Sequence, residues 1–171
     1  KKNLFFFFTF LLLIFFSNLN SQKWVNISSD QPQAVEVKLI SSDIKTSSFK
    51  ISLKGFYLNS VITDKGEENI VSVEGATPIL AAKEPDLPKI SVPFIIPDLD
   101  NMEISIVSSS YIDFFDINIA PSKGNLYRDQ NPETIPYIYG SSYSKNEFYP
   151  GHNTYIEEPY ILRDFRAQTV K

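Results

Sequence analysis

The sequence predicts an all-β fold: an antiparallel β-sandwich-like domain that carries a long irregular arm. Three observations point there. Short runs alternate apolar and polar side chains with a period of two, the signature of half-buried strands. Clusters of turn-forming residues separate those runs at sandwich-like spacing. No amphipathic helix of three turns can be drawn, and the β-branched and proline content opposes one. The 171 residues suffice for one domain with a real core.

The first segment is set apart from the rest. Lys1 and Lys2 precede the apolar run LFFFFTFLLLIFF, Leu4 to Phe16, and polar SNLNSQ follows. A basic end, a short apolar core and a polar exit describe a secretory signal peptide over residues 1–21. The run is shorter than the roughly 20 residues of a membrane-spanning helix. Cleavage after Ser21 is expected, although Leu19 departs from the small-x-small pattern, and the mature part starts near Gln22. Without cysteine there is no lipid attachment through a thiol.

The strands then follow in order. AVEVKLI places Val35, Val37 and Leu39 on one side and Glu36 and Lys38 on the other. SFKISLKG places Phe49, Ile51 and Leu53 against Lys50, Ser52 and Lys54. YLNSVIT and NIVSVEG continue the alternation on either side of a turn-like DKGEEN, Asp64 to Asn69. The stretch EPDLPKISVPFIIP alternates Ile90, Val92, Phe94 and Ile96 with Lys89, Ser91, Pro93 and Ile95, yet it holds four prolines. Proline cannot donate to a ladder, so this strand belongs on a sheet edge or at a bulge, with Pro93 pointing away from the core. NMEISIVS, DFFDINIAP and YILRDFRAQTVK complete the set of expected strands.

Between Pro121 and Pro159 the alternation fails, and Pro, Gly, Asn, Ser and Tyr dominate. A segment that long is functional or disordered rather than a plain connector. Its tyrosines favour packing over disorder, either on a partner or back on its own domain. The closing QTVK lies inside an expected strand, so the chain is expected to be the N-terminal part of a longer protein, with residues 22–171 as one domain.

Several chemistries are excluded or weakly supported. The net charge of −4 and the lack of a basic stripe oppose nucleic-acid binding. There is no cysteine, hence no disulfide and no thiol nucleophile within these residues. The single histidine, His152, lies in the turn composition YPGHN and cannot supply a zinc site alone; no Gly-x-Ser-x-Gly elbow accompanies it as part of a triad. Asp98, Asp100 and Asn101 offer oxygen atoms suited to calcium, but PDLDN reads better as a polar turn. No metal, no cofactor and no catalytic residue is assigned.

The order EGATPILAAKEPDLPKISVPFIIP, NMEISIVSS, INIAPSKG and FYPGHNTYIEEPYILRDFRAQTV resembles the propeptide of gingipain-type cysteine peptidases. Pro85, Leu87 and Pro88 match that family's Leu-Pro element, and Ile96 and Pro97 match its strand end. Tyr149 and Pro150 match a later Tyr-Pro, and Leu162, Arg163 and Arg166 match a Leu-Arg-x-x-Arg segment. Gly75 stands about ten residues too early for the family glycine, which an insertion accounts for. The resemblance covers roughly residues 50–171. It implies a secreted precursor exported through the periplasm, of the type IX secretion class, whose all-β prodomain covers a downstream caspase-like catalytic domain and keeps it latent. The partners implied are that catalytic domain and the secretion machinery; the chain itself is then no enzyme. In the family a basic side chain from a prodomain loop enters the protease pocket, and Lys123 in PSKGN and Arg128 in LYRDQ are the candidates here. The rival reading is a secreted β-sandwich adhesion module that binds glycans or proteins through its tyrosine-rich arm.

Overall fold

A computed structural model describes residues 22–171, so the expected signal peptide over 1–21 lies outside the described residues. The all-β expectation holds. Ten strands form antiparallel pairings in four small sheets, and the helical content of the described residues is two short 3-10 turns.

The first sheet carries the main core. It runs β1 (Gln22–Asn26), β4 (Gly55–Thr63), β5 (Gly66–Ser72), with Trp24 opposite Tyr57 and Val61 opposite Glu68. Phe56, Leu58 and Val73 are buried, and Val25, Ile27, Val35, Leu53, Val71, Ala76 and Ile117 pack on them. Gly55 is required where the indole crosses β4: a Cβ there would lie 2.3 Å from the Trp24 ring. The sequence predicts no strand at β1, because QKWVN shows little alternation; it joins the sheet through its ladder with β4, from Gln22 opposite Asn59 to Asn26 opposite Gly55. The turn expected over Asp64 to Asn69 is shorter than the charges suggested. Gly66, at φ 110°, already opens β5, and Glu67, Glu68 and Asn69 are strand residues.

β2 (Glu36–Ser42) and β3 (Ser47–Ser52) form a separate hairpin with a register shift between Leu39 and Ser41. Phe49 ties it to the strand of prolines, its ring 5.1 Å from that of Phe94. SFKISLKG is therefore two elements, since β3 ends at Ser52 and β4 begins at Gly55. Short β6 (Thr77–Pro78) and β7 (Pro88–Lys89) pair with each other.

The proline-rich stretch is an edge strand. β8 (Val92–Ile95) pairs on one side with β10 (Phe165–Val170), placing Pro93 opposite Thr169. Val92, Phe94 and Ile96 turn inward and Pro93 and Ile95 outward. Ile96 N–H donates to Arg166 O, so by the alternation of the strand the Pro93 nitrogen points away from β10, to the side where no strand pairs. β9 (Tyr160–Leu162) flanks β10 on its other side. The final stretch, expected as one strand, is thus a hairpin whose turn is Arg163–Asp164, with Arg163 at φ 57°. Residues 155–157 extend the same edge: Glu157 N–H donates to Thr169 O at 2.9 Å, and Tyr155 and Lys171 exchange both backbone bonds.

Two expected strands do not form. NMEISIVS and DFFDINIAP run without a ladder from Asn101 to Asn118, with Val107 91 % and Tyr111 86 % exposed. Alternation marks a one-sided apolar segment, but a strand also needs a neighbour to complete its hydrogen bonds. Both ends are held without a ladder: Met102 N–H donates to Gln168 Oε1 at 2.7 Å, while at the far end Phe114 meets Phe56 edge-on at 5.1 Å and Ile117 reaches the core.

Candidate functional site

The base of the arm is a four-layer weave beside β5. Asn69 N–H donates to Asn118 O at 2.8 Å, and Ala120 N–H donates back to Asn69 O at 2.9 Å. On the other side of this segment, Asp86 N–H donates to Ala120 O at 3.0 Å and Ser122 N–H to Glu84 O at 2.8 Å. Pro85 and Pro121 face each other between these bonds, where neither has an N–H to satisfy, and Pro121 is fully buried. Gly140 N–H then donates to Lys83 O at 2.6 Å. A Cβ on Gly140 would sit 2.6 Å from Glu84 Oε1 and 2.7 Å from that carbonyl, which explains a glycine in an extended conformation that any residue adopts.

The limb on either side of Gly140, Tyr139 to Tyr143, folds onto the β4–β5 hairpin, not outward. The Tyr139 hydroxyl donates to Glu68, whose residue is only 6 % exposed, and lies 2.9 Å from Thr63 Oγ1. The Lys65 ammonium stands 3.6 Å above the Tyr139 ring and 5.6 Å from that of Tyr143. The two rings meet edge-on at 4.9 Å, and the Tyr143 hydroxyl donates to Ile119 O at 2.9 Å. Burial, then the negative charge of Glu68, pushes the Tyr143 phenol far above its ordinary range. Asp86 is raised by burial, and its charge adds to the burial that raises Tyr137. Tyr139 and Tyr143 thus pack on the domain's own surface, whereas Tyr127 in the same arm is 78 % exposed.

Between these two limbs, residues 123–137 leave the body as a loop. Lys123 Nζ donates to Pro132 O at 2.7 Å and lies 4.1 Å over the Tyr137 ring. Asn131 caps a short 3-10 turn, Pro132–Thr134, accepting from Glu133 N–H at 3.0 Å. The apex is a tight turn closed by Gln130 N–H to Tyr127 O at 3.1 Å and braced by the Gln130 side chain, which accepts from Tyr127 N–H at 2.8 Å. Arg128 occupies the first corner of that turn. It is exposed, and no hydrogen bond or ion pair holds its side chain among the described residues. The two basic candidates therefore differ sharply: Lys123 closes the loop at its root, and Arg128 stands at its tip.

The motif residues fall into four places. Pro85, Leu87 and Pro88 line the base of the loop; Leu87 O accepts from Ile79 N–H at 2.9 Å, and Pro88 lies in β7. Ile96, Pro97 and Arg166 come together: buried Ile96 donates its N–H to Arg166 O at 2.9 Å, and the guanidinium returns over the loop after β8. It donates to Asp98 O at 2.8 Å, to Asp100 O and to Asn101 Oδ1 at 3.0 Å, with Pro97 O at 3.5 Å. Arg166 thus gathers the backbone carbonyls of Asp98 and Asp100 and the side-chain oxygen of Asn101, not the two carboxylates, and no group of three or more metal-ligating side chains occurs among the described residues. Leu162 and Arg163 sit exposed at the β9–β10 hairpin, Tyr149–Pro150 is a cis peptide in the second half of the arm, and His152 is exposed in the turn that follows. The sequence reading missed Lys65, Glu68 and Tyr139, because the Tyr139–Glu68 bond spans 71 residues.

Comparison with known proteins agrees with this architecture. The family Propeptide_C25 matches residues 26–171. Gingipain R2 of Porphyromonas gingivalis is 34 % identical over 135 residues, which is 79 % of this chain and 18 % of that protein. Gingipain R1 of the same organism is 38 % identical over 110 residues, 64 % of this chain and 11 % of that protein. The chain thus spans under a fifth of these curated relatives. Among solved structures, a complex of Porphyromonas gingivalis RgpB pro- and mature domains superposes with a TM-score of 0.74 and 34 % identity, over 78 % of this chain and 70 % of that one. A structure on the zymogenic latency of gingipain K shares the fold, with a TM-score of 0.72 at 17 % identity, covering 88 % and 84 % of the two chains. By family match, by sequence and by fold, this chain belongs to the propeptides of the gingipains.

Proposed function

We propose that the chain is the prodomain of a secreted gingipain-like cysteine endopeptidase precursor and that it holds the following catalytic domain latent by seating the Arg128 loop in its specificity pocket. The observation that carries the reading is the placement of Arg128, an exposed cation at the apex of a braced turn whose side chain has no partner among the described residues. A guanidinium presents a planar fork that an acidic pocket meets with charge-assisted bonds. Tethering to the same chain raises effective concentration to about the millimolar range, so modest contacts suffice until the link is cut. The chain supplies no thiol, and the nucleophile belongs to the downstream domain. Residues 1–21 act as the signal peptide that delivers the precursor to the periplasm and on to the type IX machinery, and the product is secreted or held at the cell surface.

The test is inhibition in trans of the peptidase domain of the same precursor. Arg128→Ala is expected to raise the inhibition constant more than about tenfold, the loss of a charged hydrogen bond in a desolvated pocket. Equal inhibition by wild type and Arg128→Ala refutes the insertion. No inhibition by wild type refutes latency and returns the adhesion reading. N-terminal sequencing of exported protein checks the leader: a start near Gln22 is expected, and a retained phenylalanine run means an anchor instead.

A further inference from the structure

Lys123 has no evident use if Arg128 alone meets the protease, yet its ammonium is the best-engaged cation of the arm. Apart from it, every hydrogen bond of residues 125–136 among the described residues reaches at most three positions along the chain: Tyr127 to Gln130, Asn131 to Glu133 and Thr134, Pro132 to Ile135. Such short turns shape the apex, but left to themselves they open readily and do not fix where the apex points. The bond from Lys123 Nζ to Pro132 O spans nine residues, and its stacking on Tyr137 reaches the limb that returns to the body. Ser122, next to it, is locked into the weave by both of its backbone groups.

We infer that Lys123 is a positioning residue that staples the loop shut from its root, so that Arg128 is offered in one orientation before any peptidase arrives. This rests on the latency reading above. The chemistry suits lysine: a compact ammonium has three donors on a flexible stem, one for a carbonyl and a face for an aromatic ring. With both contacts made, the loop enters the encounter already ordered, and less entropy is lost on docking. Without them the competent orientation becomes one of several, and apparent affinity falls by the fraction that remains competent.

That logic predicts which rate changes. Lys123→Met keeps the stem and removes the charge. It is expected to speed amide exchange at Gln130, Thr134 and Ile135 in the full chain by about tenfold and to slow association with the peptidase domain by about the same factor, leaving dissociation unchanged. Arg128→Ala is expected to act on dissociation instead. Lys123→Arg, which can still donate to Pro132 O and stack on Tyr137, is expected to restore exchange and association. Tyr137→Leu is expected to give a smaller change of the same kind. Wild-type exchange rates in Lys123→Met overturn the staple, as does failure of Lys123→Arg to restore them. A Lys123→Met effect confined to dissociation also overturns it, because that is the behaviour of a side chain that itself enters the pocket. If the wild-type chain does not inhibit, the latency reading fails, whereas the exchange measurement still decides whether Lys123 orders the loop.

Discussion

Replacing Tyr139 by Phe tests the joint between the arm and the β4–β5 hairpin. The phenol donates to Glu68, and no other side chain donates to that carboxylate among the described residues. Glu68 is nearly buried, and Lys65 contributes through the rings of Tyr139 and Tyr143 without a bond to the carboxylate. A hydrogen bond to a charged group contributes about 1.5–3 kcal/mol, and a buried carboxylate that loses its donor also keeps its desolvation penalty. The joint lies at a hairpin end where water can reach it after a small shift, which places the expected loss near the lower half of that range, about 2 kcal/mol. For a domain of this size each kcal/mol moves the melting temperature by about 2–4 °C, so a drop of about 4–8 °C is expected. The assay is urea and thermal unfolding at neutral pH, with the urea slope unchanged. Glu68→Gln combined with Tyr139→Phe should cost less than the sum of the two single changes, because the charge that needed the donor is gone. A Tyr139→Phe variant within about 0.5 kcal/mol of wild type, or strict additivity in the cycle, refutes the reasoning.

Two further outcomes follow from the same structure. Arg166→Met removes a half-buried guanidinium from three carbonyls and the Asn101 side chain; because those oxygens are exposed and rehydrate, a loss of about 1–2 kcal/mol is expected by chemical unfolding, Arg166→Lys recovers only part of it, and added calcium leaves the wild-type melting temperature unchanged. Asp86 has its folded-state pKa raised by burial, so its contribution to stability is fully present below the unfolded-state value and is lost as pH rises through the folded-state value. Asp86→Asn should therefore raise the melting temperature at pH 7, by less than about 1 kcal/mol in stability after solvent screening, and leave it unchanged in acid; a loss of stability at pH 7 would mean that the carboxylate is held by a favourable partner.

What the sequence disclosed, and what it hid, divides along the distance over which each feature is decided. β4, β5 and β8 are legible because a strand with one buried face writes its own alternation, and Pro93 marks its edge because a missing donor is tolerated only where no strand pairs. Asn101 to Asn118 carry the same alternation, yet they lack the one thing a local pattern cannot specify, a neighbouring strand. The β9–β10 turn was hidden for the opposite reason: Arg-Asp is not the Asn-Gly or Asp-Gly expected of a two-residue hairpin, so Arg163 adopts a positive φ that its type seldom takes. Glu67 and Glu68 read as turn residues because their charge was weighed without the tyrosine that later covers one of them.

The two basic candidates show the limit most directly. Lys123 and Arg128 are five residues apart, in the same proline- and glycine-punctuated arm, and composition treats them alike. Their difference arises from Pro132 and Tyr137, which the chain reaches only after closing a loop. A free cation at a loop tip and a cation holding the loop's root call for opposite experiments. In the proposed latency mechanism, substituting the first is expected to weaken a finished complex, and substituting the second to lower the population able to form it. Ranking them by charge or exposure alone would treat Lys123 as a weaker version of Arg128. The geometry separates them: the lysine is engaged within the domain by Pro132 O and the Tyr137 ring, while the arginine stands exposed at the tip, and the proposed mechanism assigns them complementary parts on that basis.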